Sequence, residues 1–194
     1  MKIVIKKSNR KTISIKFVTN KELVVFAPIY ASKKDIDKFI ESKKTWILKK
    51  GRELDLHANY LKDVIEFKKG MLFGEFVDYT KNFKNEYTKL ANEFLPKRVE
   101  QIAKYYGFDY NFVTVKEFTA RWGSCTSKKE IQLNTRLIML KKRVIDYVIV
   151  HELCHTLYMN HQKGFKDKLA SYFVDEKAIK AYLKKHSYLT RIDY

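Results

Sequence analysis

The chain is short of the residues that staple or punctuate a fold. Its two cysteines, Cys125 and Cys154, form no CxxC and stand in unlike contexts. Neither a disulfide framework nor a cysteine-built zinc knuckle is supported, and a reducing, cytoplasmic setting is expected. Six glycines and two prolines exclude collagen-like, linker-rich and Pro-rich classes, and no repeat of solenoid period is visible. No run approaches the roughly 18 apolar residues of a membrane helix, and the N-terminus offers three apolar residues before charge returns. Export and membrane association are therefore not expected. Acidic residues are scarce too: 22 Asp and Glu face 40 Lys and Arg, a net charge of +18.

What is present is globular material, 45% hydrophobic and 14% aromatic, enough to bury a core. The lysines fall mostly in scattered doublets such as Lys33-Lys34, Lys43-Lys44 and Lys49-Lys50. They read equally as a compositional bias or as a basic surface that binds nucleic acid by counterion release.

The first thirty residues alternate with the period of strands, through Ile3-Val4-Ile5, Ile13-Ser14-Ile15 and Leu23-Val24-Val25-Phe26, and predict a small antiparallel sheet. Ser32 can cap a helix whose apolar stripe runs through Ile36, Phe39, Ile40, Trp46 and Ile47, with Gly51 as its stop. A hairpin around Lys69-Gly70 and Phe73-Gly74 marks a domain boundary, giving an N-terminal module over 1–76 and a second domain over 77–194. From Tyr79 to Tyr106 the spacing predicts helix, broken or restarted at Pro96 and ended by Gly107. Two strands, near 112–115 and 130–133, then flank a polar turn region from Arg121 to Lys129.

The informative segment follows: His151-Glu152-Leu153-Cys154-His155 reads H-E-x-x-H. Helix positions four apart differ by about 40°, so His151 and His155 can present imidazole nitrogens to one metal ion. Glu152 is placed to take a proton from zinc-activated water and pass it to a leaving amine. The flanks, Val148-Ile149-Val150 and Leu153-Cys154, are uncharged, as a buried helix behind a cleft requires. A hydrolytic zinc wants three protein ligands. His161 is preferred over Asp175 and Glu176, which requires the helix to end near Tyr158 to Asn160 and the chain to turn back, with Asn160 as the left-handed residue.

The spacing to His161 equals that of the metzincins, but Tyr158 replaces their turn glycine and no Met-turn follows. The chain instead resembles the YgjP-like metallopeptidase family. The residues that carry the resemblance are Arg10-Lys11-Thr12, Trp46-Ile47, Arg121-Trp122-Gly123-Ser124-Cys125, Ile131-Gln132-Leu133-Asn134, Leu137-Ile138, Val144 to Val148 running into the motif, Asn160-His161 and Phe165. It implies a compact zincin-like domain of minimal gluzincin type, and with the alternating stretches at the N-terminus the expected fold is α+β, an N-terminal antiparallel β-rich module followed by that domain. It also implies an edge strand above the zinc helix and one Zn2+ per chain held by His151, His155 and His161. A more distant similarity is to proteases of the SprT type, which act on proteins crosslinked to DNA. Lys166 departs from the family's frequent Trp after the Phe.

Arg121, Trp122, Gly123 and Ser124 read as a bulged strand lining a substrate cleft, or as a plain hairpin with Trp122 in the core. Tyr158, Tyr147 and Arg121 are candidates to stabilise an oxyanion, although packing is the commoner role of both tyrosines. Cys125 reads as a small buried residue more readily than as a regulatory thiolate, Cys154 points into the core, and His57 and His186 read as surface histidines. The function expected is zinc-dependent hydrolysis of peptide bonds in a peptide or protein substrate. The alternatives are a basic DNA- or RNA-associated protein with structural zinc, and a protease acting on nucleic-acid-bound proteins.

Overall fold

The computed structural model describes residues 1–19, 21–67, 69–78 and 82–191, the side chains of 57, 61 and 63–67 excepted. The expectations for His57 and for Tyr79 fall outside these described residues. The N-terminal alternating stretches form β1 (Lys2–Ser8), β2 (Ser14–Phe17) and β3 (Glu22–Pro28), in the order β1-β3-β2. Leu23, Val25 and Ala27, every second residue of β3, are fully buried. β2 pairs with β3 antiparallel, as the short link between them dictates, but β1 pairs with β3 parallel, so the sheet is mixed. The segment 9–13 carries the chain from one side of β3 to the other, and the crossover reverses the expected direction.

Ser32 caps α1 (Lys33–Ser42), accepting from the Asp35 amide at 3.1 Å. The helix breaks at Lys43, and α2 (Lys44–Phe67) runs straight through Gly51. Gly51 has a helical backbone and costs only about 1 kcal/mol there. The break comes where it lets Ile36 and Ile47 both cover the sheet, in one core with Leu23, Val25, Ala27 and Ala31.

The chain divides into two compact units, Met1–Lys62 and Asp63–Tyr194. The hairpin β4 (Lys69–Leu72) and β5 (Glu75–Asp78) belongs to the second unit. Its turn residues, Phe73 and Gly74, have positive φ and donate backbone hydrogen bonds to Ile138 and Met139 carbonyls at 2.7 and 3.0 Å. That docking sets the hairpin's allegiance.

α3 (Phe83–Tyr106) continues through Pro96 and ends in a left-handed Gly107. Leu95 and Val99, on either side of the proline, are fully buried, and their burial, about 1.5–3 kcal/mol each, offsets the proline's roughly 3 kcal/mol. A second mixed sheet has the order β6-β8-β7, from β6 (Val113–Lys116), β7 (Gly123–Cys125) and β8 (Ile131–Asn134). A 3-10 turn, Thr135–Met139, leads into α4 (Lys142–Cys154), followed by α5 (Lys163–Ala170) and α6 (Glu176–Lys185). Ile145, Ile149 and Leu153 give α4 a fully buried stripe. His151, two residues from Ile149, lies about 200° around the helix from it, which turns the histidine face away from the core.

Candidate metal centre

α4 positions the motif. His151 lies in its last turn and His155 caps it, with the His155 amide bonded to the Glu152 carbonyl at 3.1 Å. The winding then tightens at Thr156 and Leu157, so the helix ends before the expected Tyr158 to Asn160. Asn160 does not take positive φ. Its side chain accepts instead from the Gln162 amide at 3.3 Å, and this local bond does the turning that a left-handed residue was expected to do.

The turn brings His161 back. One ring nitrogen from each of His151, His155 and His161 lies within 4.8 Å of the others, and the Nε2 atoms of His151 and His161 are 3.2 Å apart. Two ligands on a tetrahedral zinc with bonds of about 2.0 Å stand about 3.3 Å apart, so this approach of two lone-pair donors suits a shared cation. His155 Nδ1 lies 2.9 Å from the Tyr158 carbonyl, which assigns its proton to Nδ1 and leaves the Nε2 lone pair free for a metal. Burial, reinforced by the neighbouring imidazoles, lowers the His151 pKa to about 3, and burial lowers that of His155. Both rings are neutral at physiological pH, as a metal requires.

Asp175 and Glu176 are otherwise engaged. Asp175 binds Arg143 at 2.8 Å, while Glu176 accepts from the Tyr147 hydroxyl at 3.0 Å and pairs with Lys180 at 2.7 Å. The Tyr147 hydroxyl is thereby committed away from the cavity.

Glu152 is 6% exposed, and burial raises its carboxyl to about 8 against the lowering effect of Arg121. A methyl group on Gly123 would sit 2.9 Å from Glu152 Oε1, so the glycine admits the carboxyl against the strand. Among the described residues β7 is the last strand on its side of the sheet, antiparallel to β8 with Gly123 opposite Leu133 and Cys125 opposite Ile131. The pairing is regular over these three residues. A cavity of about 270 Å³ is lined by Gly123, Ser124, Cys125, His151, Glu152, His155, Met159 and His161.

Arg121, Trp122 and Tyr158 do not line it. Arg121 is exposed, its guanidinium 5.3 Å from the Phe118 ring. Trp122 is half-buried, and the Tyr158 ring lies over Gly164. Fully buried Asn134 fixes the approach to β7, donating from Nδ2 to the Phe118 and Arg121 carbonyls at 2.8 Å each. Cys154 is buried, its thiol pushed up to about 12 by desolvation, and Cys125 is pushed up to about 11 by the same cause with help from Glu152. His186 is half-buried rather than on the surface, stacked on Tyr182 at 3.9 Å, because α6 turns it back onto its own last turn.

Sequence reasoning assigned no site role to Met159 or Phe165. The Phe165 ring touches all three imidazoles, stacked on His155 at 4.5 Å and edge-on to His151 and His161 at 4.9 and 4.6 Å. An aromatic four residues past the third histidine, at the start of a helix, was the available signal.

Three converging imidazoles, a buried carboxyl beside them and an open strand edge define a metallopeptidase domain on an α+β scaffold. A sequence model of the YgjP-like metallopeptidase domain matches residues 75–186, and the chain belongs to that family. None of the curated proteins matches it. Among solved structures, the metallopeptidase zymogen jannalysin of Methanocaldococcus jannaschii matches with 21% identity, covering 46% of this chain and 92% of that one at a TM-score of 0.42. Among the described residues no helix is long and apolar enough to cross a membrane.

Proposed function

We propose that the protein is a zinc-dependent peptidase, with one zinc per chain held by His151, His155 and His161 and with Glu152 as the proton carrier. The observation that carries this reading is the Glu152 carboxyl in the same cavity as the three imidazoles, admitted there by Gly123. The donor set fits zinc, a borderline-soft ion for which three neutral imidazoles with an open position are a catalytic arrangement. When bound, zinc supplies Lewis acidity at the scissile carbonyl.

The chain's own residues supply the rest. An extended substrate pairs with the outer edge of β7, which sets the scissile bond above the imidazoles. Glu152 takes a proton from the attacking water and returns it to the leaving amine. A carboxyl that burial holds near 8 against the lowering effect of Arg121 has a proton affinity close to the working pH, suited to both halves of that transfer. Phe165 excludes water beneath the rings. The two free cysteines suit a reducing compartment such as the cytoplasm.

The test is zinc content and hydrolysis of denatured casein for the protein and its Glu152→Gln variant. The variant keeps about one equivalent of zinc and loses activity by about 10²–10⁴-fold. Unchanged cleavage in the variant would remove Glu152 from the mechanism.

A further inference from the structure

The N-terminal unit, taken by itself, is a strand-and-helix stack that stops one strand short. β2 is the last strand on its side of the sheet among the described residues. Ile15 on β2 and Ile13 just before it lean on the core built from β3, α1 and α2. Beyond them, Ile13, Ser14 and Ile15 face Phe39, Lys43 and Trp46 across an open groove of about 340 Å³. Trp46 is 46% exposed. A strand laid along β2 would send alternate side chains into this groove while its backbone satisfied the open edge.

Charge narrows the occupant. Residues 1–62 hold sixteen Lys and Arg against six Asp and Glu, so this third of the chain carries ten of the eighteen net positive charges. Glu41 and Glu53 are already engaged by Lys44 and Lys50. Lys16 on β2 and Lys43 in the groove have no carboxylate within ion-pair distance among the described residues. A second copy of the chain would bring the same positive charge. A nucleic-acid strand would want open ring faces, but Trp46 leans on Phe17 at 6.0 Å, Phe39 carries Lys43 at 5.8 Å, and the strand-side wall is aliphatic. What distinguishes the groove is its open backbone edge, which is complementary to a peptide.

The geometry points to this groove as a docking site for an extended acidic peptide that adds to β2, with apolar residues at alternate positions and carboxylates beside Lys16 and Lys43. It shares no lining residue with the metal centre and does not depend on the hydrolytic reading.

The test uses the full chain carrying Glu152→Gln, so that no probe is cut, and a fluorescein-labelled peptide of sequence Asp-Glu-Thr-Val-Thr-Ile-Thr-Val-Asp-Glu. Controls are the same peptide with lysine in place of each acid, and single-stranded oligothymidine. The acidic peptide binds, the lysine version binds at least about tenfold more weakly, and Lys16→Glu with Lys43→Glu lowers affinity by about tenfold or more. Amide exchange slows across 14–17 in the complex. Absence of binding, affinity indifferent to the two lysines, or binding without protection of 14–17 overturns the proposal. Tighter binding of oligothymidine through the same lysines also overturns it and assigns the surface to nucleic acid.

Discussion

Two of the three imidazoles ride on a helix, and the third stands on a stretch without regular structure. His151 and His155 are fixed by α4, whose opposite stripe, Ile145, Ile149 and Leu153, is sealed in the core. Folding that core places both rings. His161 is exposed, and its position rests on the Asn160 turn and on the Phe165 ring 4.6 Å away. Ordering the residues that carry it costs about 1–2 kcal/mol each in backbone entropy. Under the proposed function, the helix side would set the chemistry and the loop side how tightly the metal is held.

The largest test of that division is Phe165→Ala. Phe165 is 2% exposed and its ring is shared by all three imidazoles, so its loss removes about 3–5 kcal/mol of stability. Urea unfolding measures this, and zinc titration of the folded variant shows weakened binding. If zinc affinity holds while stability falls, Phe165 is core alone and the loop orders itself.

Gly123→Ala probes the helix side. The added methyl meets the end of the Glu152 side chain, which can move, so the fold survives and the carboxyl shifts by a few tenths of an ångström or more. Hydrolysis should fall by up to about 10²-fold with zinc content unchanged. Equal loss of zinc and activity would mean that strand and ligands are one unit, and the division between chemistry and grip would fail.

The sequence displayed the helix side well and the loop side poorly, for physical reasons. H-E-x-x-H lies on a regular element, so spacing translates into direction, and the uncharged flanks that announced a buried helix are the Ile149 and Leu153 stripe. Between His155 and His161 no period applies. Side-chain bonds such as Asn160 to Gln162 decide the path, and they are local choices that composition does not reveal. The same limit explains β1, whose alternation specified a strand but not its partner's direction, and Pro96, where the burial of Leu95 and Val99 overrode propensity. Glu152 and Gly123 are far apart in the chain, and their contact was visible only as two separate motifs.

Titration of the metal-free protein adds a second measure of the helix side. Unfolded imidazole binds a proton near 6.5 and folded His151 only near 3, so its contribution is present above 6.5 and lost as pH falls toward 3. Folded Glu152 keeps its proton up to about 8 while the unfolded carboxyl releases it near 4.5, so its contribution is present below 4.5 and lost as pH rises toward 8. Thermal midpoints against pH should therefore fall off on both sides of mildly acidic conditions. His151→Gln flattens the acid limb and Glu152→Gln the alkaline one. Limbs unaltered by these substitutions would place the titration elsewhere.

The smallest expected effect isolates the loop. Asn160 has an ordinary backbone φ, so glycine there removes the bond to the Gln162 amide and widens the unfolded and metal-free ensembles, at a cost of about 0.5–1 kcal/mol. Because α4 does not depend on that turn, the two helix-borne imidazoles keep their places, and the cost falls on bringing His161 to the metal. Zinc affinity should drop by about two- to fivefold, while turnover at saturating zinc stays near that of the unaltered protein. Calorimetric zinc titration and casein hydrolysis with zinc in excess separate the two quantities. A fall in turnover with affinity unchanged would reverse the roles of helix and loop, since the loop would then be shaping the reacting geometry rather than the grip on the ion.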